Sequence, residues 1–188
     1  MLSCEYIAGC ILGLALVLLW TVSAGAQQLA LEGLVLDNVG ERIQLRFGVQ
    51  AKDVDALEQI LEKGGQLQMQ CDIRLRRRRG WWPDSTVVEK RRRYHLKTHP
   101  LTQTYRLINQ HTNSTARDDS LQDLMHRQWK EIILDLGAWK MLDAGADYIL
   151  ELTLQFTRPN VPQWLKTTLF FWSWDVVTSQ TFRMHFTY

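Results

Sequence analysis

Residues 66–77 read QLQMQCDIRLRR and form the clearest alternation of apolar and polar residues in the chain. Leu67, Met69, Cys71, Ile73 and Leu75 share one parity, and polar residues fill the positions between them. Successive side chains of a strand point to opposite faces, so the stretch predicts a strand with one buried and one solvated face. Cys71 is therefore expected to be a buried, unreactive core residue.

Similar patterns on both sides extend this prediction. Further strands are expected at 34–37, 43–49, 87–98, 104–108, 148–156, 168–178 and 181–188. The fold class that follows is mainly β: an antiparallel β-sandwich or a strongly curved sheet of about eight strands with two short helices. The helices are expected to cover an edge or an end of the sheet.

The two helices are predicted from a change of period. Apolar residues within 53–63 fall on one helical face, Asp55 and Glu58 resemble a capping box, and Gly64-Gly65 ends the segment. A second, shorter helix follows Asp118, which is expected to cap it.

The N-terminal segment predicts export. Residues 7–22 are almost all apolar, and small side chains at Ala24 and Ala26 predict cleavage after Ala26. We therefore expect a secretion signal at 1–26 and a single β-rich domain at 27–188, in the periplasm or elsewhere in the envelope. The alternative is an inner-membrane anchor formed by an uncleaved 7–22 segment, which is shorter than the ~20 residues that span a bilayer.

Positive charge is concentrated in one region. Ten of the 22 basic residues lie between Arg74 and Lys97, against only two acidic residues, Asp84 and Glu89. Strand parity places many of these side chains on the solvated face, with two tryptophans in the Gly-Pro turn between the strands. The candidate partner- or anion-binding site consists of Arg74, Arg76, Arg78, Arg91, Arg93, Lys97, Trp81 and Trp82.

Several interpretations of this surface stay open. Like charges opposite one another across strands are unfavourable by up to about 1 kcal/mol, so neutralising Arg74, Arg76, Arg91 and Arg93 is expected to leave stability unchanged or slightly raised. The basic face is either a docking surface or a solvated face that blocks edge pairing. Trp81 and Trp82 stack on arginines, lie at a membrane interface or pack against the domain.

The basic patch, the histidines and the motifs of the sequence limit which partners and which chemistry we expect. Inside a cell a basic patch suggests nucleic acid, but export argues against nucleic acid and favours an anionic membrane surface or an unknown acidic protein. His95 and His99 share a face roughly 13 Å apart, without the further ligands that zinc requires. No nucleophile elbow, phosphate loop or Ser/His/Asp order is present. We expect no enzyme activity, no metal and no cofactor.

Four stretches carry a resemblance to a known family: Arg78-Arg79-Gly80-Trp81-Trp82, the Tyr94 to Tyr105 segment with His99-Pro100-Leu101-Thr102, Asp118 to Leu124, and Val161-Pro162 with Trp174-Asp175-Val176. Over about residues 30 to 180 the chain resembles the bacterial exported family called domain of unknown function 4390. The resemblance implies export and a fold but no chemistry. Genes of the family often neighbour a nitrogen-regulation-type sensor kinase, an association that suggests envelope signalling.

Two function hypotheses result. The first is a non-enzymatic envelope protein that docks a partner or a membrane through its basic β face. The alternative is a sensory or accessory module that binds a small apolar ligand between its sheets, linked to a sensor-kinase pathway. The second hypothesis rests on the aromatic residues of the C-terminal half.

Overall fold

The computed structural model describes residues 29–99, 101–159 and 175–188. Their elements, in chain order, are β1 (Leu29–Val39), β2 (Arg42–Ala51), α1 (Val54–Glu62), β3 (Gln66–Arg77), β4 (Ser85–Thr98), β5 (Tyr105–Asn109), β6 (Ser114–Asp118), α2 (Leu121–Trp129), β7 (Ile132–Ala138), a 3-10 helix (Trp139–Met141), β8 (Asp147–Thr157) and β9 (Asp175–Thr187). The predicted secretion signal at 1–26, with its alternative as an anchor at 7–22, lies outside the described residues.

All strand pairs are antiparallel, and they form two sheets. One sheet has six strands in the order β6-β5-β4-β3-β8-β9, and the other has three in the order β1-β2-β7. The predicted mainly β, antiparallel fold is confirmed. The strand predicted from residues 66–77 has a neighbour on each side, β4 and β8. Its five alternating apolar residues are all completely buried, as the pattern predicted.

The core lies on the inner face of the large sheet, against the small sheet and both helices. Trp129 of α2 sits within it, with ring contacts to Tyr94 and Phe156 at centroid distances of 6.2 and 5.5 Å. The helices contribute Leu57, Leu61, Leu121, Leu124, Met125 and Trp129 to the same apolar cluster. Burial of these side chains, rather than helix propensity, holds two nine-residue helices in place.

The predicted segment 53–63 contains the first helix, but the predicted capping residue of each helix is wrong by two positions. Asp53, not Asp55, caps α1, because its side chain accepts a hydrogen bond from the Ala56 N–H at 3.2 Å. Ser120, not Asp118, caps α2 through the Asp123 N–H. The predicted end of α1 is confirmed: Gly64 has a φ of +77°, a left-handed conformation that glycine adopts without steric cost.

Two strands were not predicted, and one was divided. β6 was missed because only Ala116 of its five residues is apolar. β7 was missed although Ile132, Leu134 and Leu136 alternate and are buried. A break was predicted between residues 178 and 181, but β9 continues through this position, where its pairing with β8 shifts in register. The part of that prediction at 168–174 lies outside the described residues.

The burial of Cys71 gives a direct test of the β3 register. Burial raises the pKa of the Cys71 thiol to about 12, and the thiolate is the reactive form. In the chain from Gln27 onward Cys71 is the only cysteine. We expect a thiol reagent to leave the native protein unmodified and to label it at once in denaturant. Rapid labelling of the native protein would show that β3 has another register.

Candidate functional site

The predicted site residues lie on the hairpin formed by β3 and β4. Asp72 pairs with Arg91 and Arg74 with Glu89, and a register shift after Leu75 leads into the tip at residues 78–84. The arginines at positions 74, 76, 91 and 93 face away from the core, as predicted. The hairpin thus carries the candidate site in three parts: a central face, the tip, and the far end near Lys97.

On the central face, carboxylates neutralise much of the positive charge of the arginines. Arg74 Nε lies 3.0 Å from Glu89 Oε1, and Arg91 Nε forms an ion pair with Asp72. The hydrogen bond from Arg91 to Asp72 raises the pKa of the Arg91 guanidinium above its usual value. Arg93 forms no ion pair with another described residue, but its Nε donates to Gln70 Oε1 at 3.3 Å. Cross-strand attraction therefore replaces much of the repulsion that the sequence predicted.

Glu151 of β8 neutralises a further arginine and is itself shared. Its Oε1 lies 2.7 Å from Arg76 Nη2 and 2.8 Å from Arg183 Nε of β9, and its side chain is only 14% exposed. One carboxylate thus joins three adjacent strands. Its partners are remote in sequence, so only knowledge of the β3–β8 and β8–β9 pairing could have found it.

Two cations of β4 lie on the inner side of the large sheet. Lys90 is opposite Ile73, and Arg92 is opposite Cys71. The Lys90 Nζ donates to the backbone oxygen of Asp135 on β7 at 2.5 Å. This bond connects the two sheets at the edge of the small one. Both side chains are half-buried and do not add to the outward basic face.

The tip projects two aromatic side chains into solvent. Trp81 is 98% exposed and Trp82 is 75% exposed. Of the three interpretations of these tryptophans, packing against the domain is wrong. The backbone around them is fixed: the Arg78 N–H donates to Asp147 O at 2.8 Å, and the Arg79 N–H donates to Asp84 Oδ1 at 3.3 Å.

The two cations at the tip, Arg78 and Arg79, differ from their neighbour Arg77. The Arg78 and Arg79 side chains are exposed and have no ion pair within the described residues. The neighbouring Arg77, by contrast, pairs with Asp143. Two free guanidinium groups and two exposed indoles therefore occupy one short loop.

Lys97 lies at the opposite end of the hairpin. Its neighbour across the strands is Arg106, which in turn is opposite Arg117 of β6. Lys97 borders a cleft of about 970 Å³ that also reaches His99. The structure therefore separates Lys97 from the tryptophans with which sequence reasoning grouped it.

Over residues 29–99, 101–159 and 175–188, no three His, Cys, Asp or Glu side chains are grouped so that they could hold a metal ion. Among the described helices, none is long and apolar enough to cross a membrane.

The shared carboxylate gives a stability test with an internal control. Glu151→Gln should lower the free energy of unfolding by about 1–2 kcal/mol, because it leaves Arg76 and Arg183 without their half-buried partner. Glu89→Gln should cost at most about 0.5 kcal/mol, since the Glu89–Arg74 pair is more than half exposed on both sides. Urea denaturation of both variants measures the difference. Equal losses would mean that the shared Glu151 contacts stabilise the protein no more than the exposed Glu89–Arg74 pair does.

The same contacts correct the expectation for the arginines. Arg74, Arg76 and Arg91 each face a carboxylate, so changing them to Gln removes attraction as well as repulsion. The variant in which these three and Arg93 are Gln should therefore be less stable than the parent, not unchanged or slightly more stable.

Comparison with known proteins identifies a family. The family model described as "Domain of unknown function (DUF4390)" matches residues 26–185. No curated protein and no solved structure matches the chain. The match spans both sheets, both helices and the tip of the β3–β4 hairpin, so the chain belongs to the family of the domain of unknown function DUF4390.

Proposed function

We propose that this protein is a non-enzymatic docking domain of the bacterial envelope that attaches to an anionic membrane surface through the tip of its β3–β4 hairpin. The observation that carries the proposal is the near-complete exposure of Trp81 beside Trp82. The free guanidinium groups of Arg78 and Arg79 lie in the same loop.

The chemistry of the tip suits a lipid interface. Indole rings favour the headgroup region, where the ring is shielded from water and the N–H stays hydrated. Each arginine or lysine near an anionic bilayer contributes about 1 kcal/mol, and the effect fades beyond a Debye length of about 8 Å. Arg78 and Arg79 adjoin the indoles, so both contributions act at one contact. The central arginines contribute less, because carboxylates already compensate them.

The described part of the chain begins at Leu29, at the end of the domain remote from the hairpin tip. Leu29 pairs with Ala51 at the start of β1, and the β1–β2 turn lies at the other end of that strand. The Trp139 N–H donates a hydrogen bond to the backbone oxygen of Glu41 in this turn. The Trp139 ring in turn contacts the Tyr188 ring, which lies near the base of the hairpin tip. Leu29 and the tip are thus at opposite ends, about 35 Å apart for an eleven-residue strand.

The distance between Leu29 and the tip has different consequences if the N-terminal segment is retained and if it is cleaved. A retained 7–22 segment would anchor the domain at the end remote from Trp81 and Trp82. Cleavage after Ala26 would leave the tip free to reach a membrane. Docking through the tip is therefore proposed for the exported, cleaved chain.

The apolar-ligand alternative receives less support. The space between the sheets holds a continuous cluster of buried apolar side chains, with the Trp129 ring among them. The 970 Å³ cleft lies at the surface, and its lining includes Glu58, Glu62, Lys97 and Arg106. A charged lining of this kind does not suit an apolar ligand.

Vesicle binding tests the proposal. We expect the chain from Gln27 onward to bind phosphatidylglycerol-containing vesicles at low salt and to bind pure phosphatidylcholine vesicles weakly. Changing both Trp81 and Trp82 to Ala should weaken binding at least tenfold, or about 1.4 kcal/mol. Thermal stability should not change, because both side chains are exposed. Leu101→Ala is the matched control, since Leu101 is 89% exposed but lies outside the tip.

The salt dependence of vesicle binding distinguishes the contribution of the arginines from that of the tryptophans. Changing Arg78 and Arg79 to Gln should weaken binding at low salt and have little effect at high salt, whereas the loss of the indoles should persist in both. If the parent ignores anionic vesicles at low salt, or if Leu101→Ala is as harmful as the tryptophan changes, the proposed docking is wrong.

A further inference from the structure

The outward side of the large sheet has one half with carboxylates and one half without. On β3, β4, β5, β6 and β8, outward carboxylates such as Asp72, Glu89 and Glu151 lie in the half nearer the hairpin tip. In the other half, the outward positions of the same five strands are cationic or uncharged. We call this half the far-end surface and define it by Arg93, His95, Lys97, Arg106 and Arg117.

Three cations of the far-end surface lie side by side in one row across three strands. Lys97 of β4 is opposite Arg106 of β5, and Arg106 is opposite Arg117 of β6. Like charges directly opposite one another on antiparallel strands are unfavourable. None of the three forms an ion pair with another described residue. The repulsion that carboxylates relieve in the middle of the hairpin therefore persists here.

The carboxylates nearest to this row do not neutralise it. Asp118 shares its side of β6 with Ala116, which packs against the core, and it pairs with Arg127. Asp119 and the glutamates of α1 border the cleft beside Lys97, but none of them forms an ion pair with a cation of the row. The row is therefore open to an anion from outside the domain.

A shallow depression provides a second place for an anionic group. It has a volume of about 360 Å³ and is lined by Arg91, Arg93, Gln110 and His111. The Gln110 N–H donates to Arg93 O at 3.1 Å, which holds the loop beside this strand. Arg93 and Lys97 are four residues apart on β4, a distance of roughly 13 Å along a strand. The far-end surface thus offers two separated places for negative charge.

His95 lies between these two places and responds to their positive charge. Burial lowers the pKa of His95, a hydrogen bond with Gln110 acts in the opposite direction, and the charges of Arg93 and Lys97 lower it further. The His95 Nε2 is buried and has no hydrogen-bond partner within the described residues. The imidazole is therefore a neutral group inside a positive surface, and a bound anion would change its protonation.

The side chains between the cations suit a hydroxylated ligand. They are mainly amides and hydroxyls, among them Gln68, Gln70, Thr115 and Thr157. Amides donate and accept hydrogen bonds, as sugar hydroxyls require. On the five strands of this half, only Ile108 is both apolar and outward. Protein interfaces are instead centred on apolar and aromatic residues, so these strands suit a glycan better than an acidic protein.

We propose that the far-end surface binds a phosphorylated glycan. One phosphate group binds the row of Lys97, Arg106 and Arg117, and another binds Arg93 at the depression. Guanidinium groups donate paired, charge-assisted hydrogen bonds to phosphate, and the amides between the two places bind sugar hydroxyls. The tip lies about a strand length away, well beyond a Debye length of about 8 Å. The site is therefore independent of membrane docking through the tip.

Phosphorylated dextran oligosaccharides provide the probe. Calorimetric titration into the chain from Gln27 onward measures their affinity, which we expect to be measurable at low salt and weaker at high salt. Unmodified dextran and inorganic phosphate should bind at least tenfold more weakly, since each supplies only part of the ligand. Oligoglutamate of equal charge should also bind at least tenfold more weakly. Failure of phosphorylated dextran to bind would overturn the proposal, and equal affinity for oligoglutamate would favour an acidic protein instead.

Two double variants distinguish this site from the tip. Changing Arg106 and Arg117 to Gln should weaken the binding of phosphorylated dextran at least tenfold and leave vesicle binding unchanged. Thermal stability should not fall, because the change removes repulsion and no ion pair. Changing Arg78 and Arg79 to Gln removes the same charge at the tip and should leave the affinity for phosphorylated dextran unchanged. Equal losses in both double variants would mean that the glycan responds only to net charge, which would overturn the proposal.

The imidazole of His95 locates the ligand without any substitution. Its cross-strand neighbours, Gln68 and Ile108, are uncharged, so a nearby phosphate group dominates any change of potential at the ring. Bound phosphorylated dextran should raise the pKa of His95, because negative charge favours the imidazolium form. A pH titration followed by NMR, with and without the glycan, measures this shift. An unchanged His95 pKa in a protein that binds phosphorylated dextran would place the glycan elsewhere and overturn the proposal.

Discussion

The pairing of β3 with β4 on one side and β8 on the other is the constraint on which the rest of the structure depends. It buries Leu67, Met69, Cys71, Ile73 and Leu75 completely and turns the residues between them outward. Because the side-chain period of a strand is two, a shift of one residue would exchange the faces. The same register brings Arg74 to Glu89 and Arg76 to Glu151. Burial and charge compensation are therefore two results of one alignment.

The central strands could be predicted because their signal is local. The alternation in residues 66–77 determines which side chains of β3 are buried, whatever its neighbours are. Glu151 could not be linked to Arg76 in this way, since their contact depends on which strand pairs with β3. The tip shows the same limit: its sequence identified the turn, but the exposure of Trp81 depends on whether another element covers it.

The charge pattern divides the hairpin into regions with different properties. Ion pairs compensate the middle, so little net attraction is left there for an anionic partner. The tip retains Arg78 and Arg79 beside two exposed indoles, and the far end retains Lys97 and Arg106 beside a cleft. A run of basic residues that appears uniform in the sequence thus divides into a compensated middle and two ends, about a strand length apart, whose cations form no ion pair within the described residues. Each can be altered without touching the core.

The immersion depth of the tip tests the docking claim most directly. Cys71 is buried and its thiol has a raised pKa, so a spin label can be attached selectively to a cysteine introduced at position 80, beside the indoles, or at position 68. Gln68 lies on the outer face of β3, close to the end opposite the tip. With anionic vesicles, we predict that the label at 80 is shielded from aqueous relaxation agents and exposed to oxygen in the lipid, while the label at 68 stays in water. Equal accessibility of both labels to the aqueous agent would contradict docking through the tip.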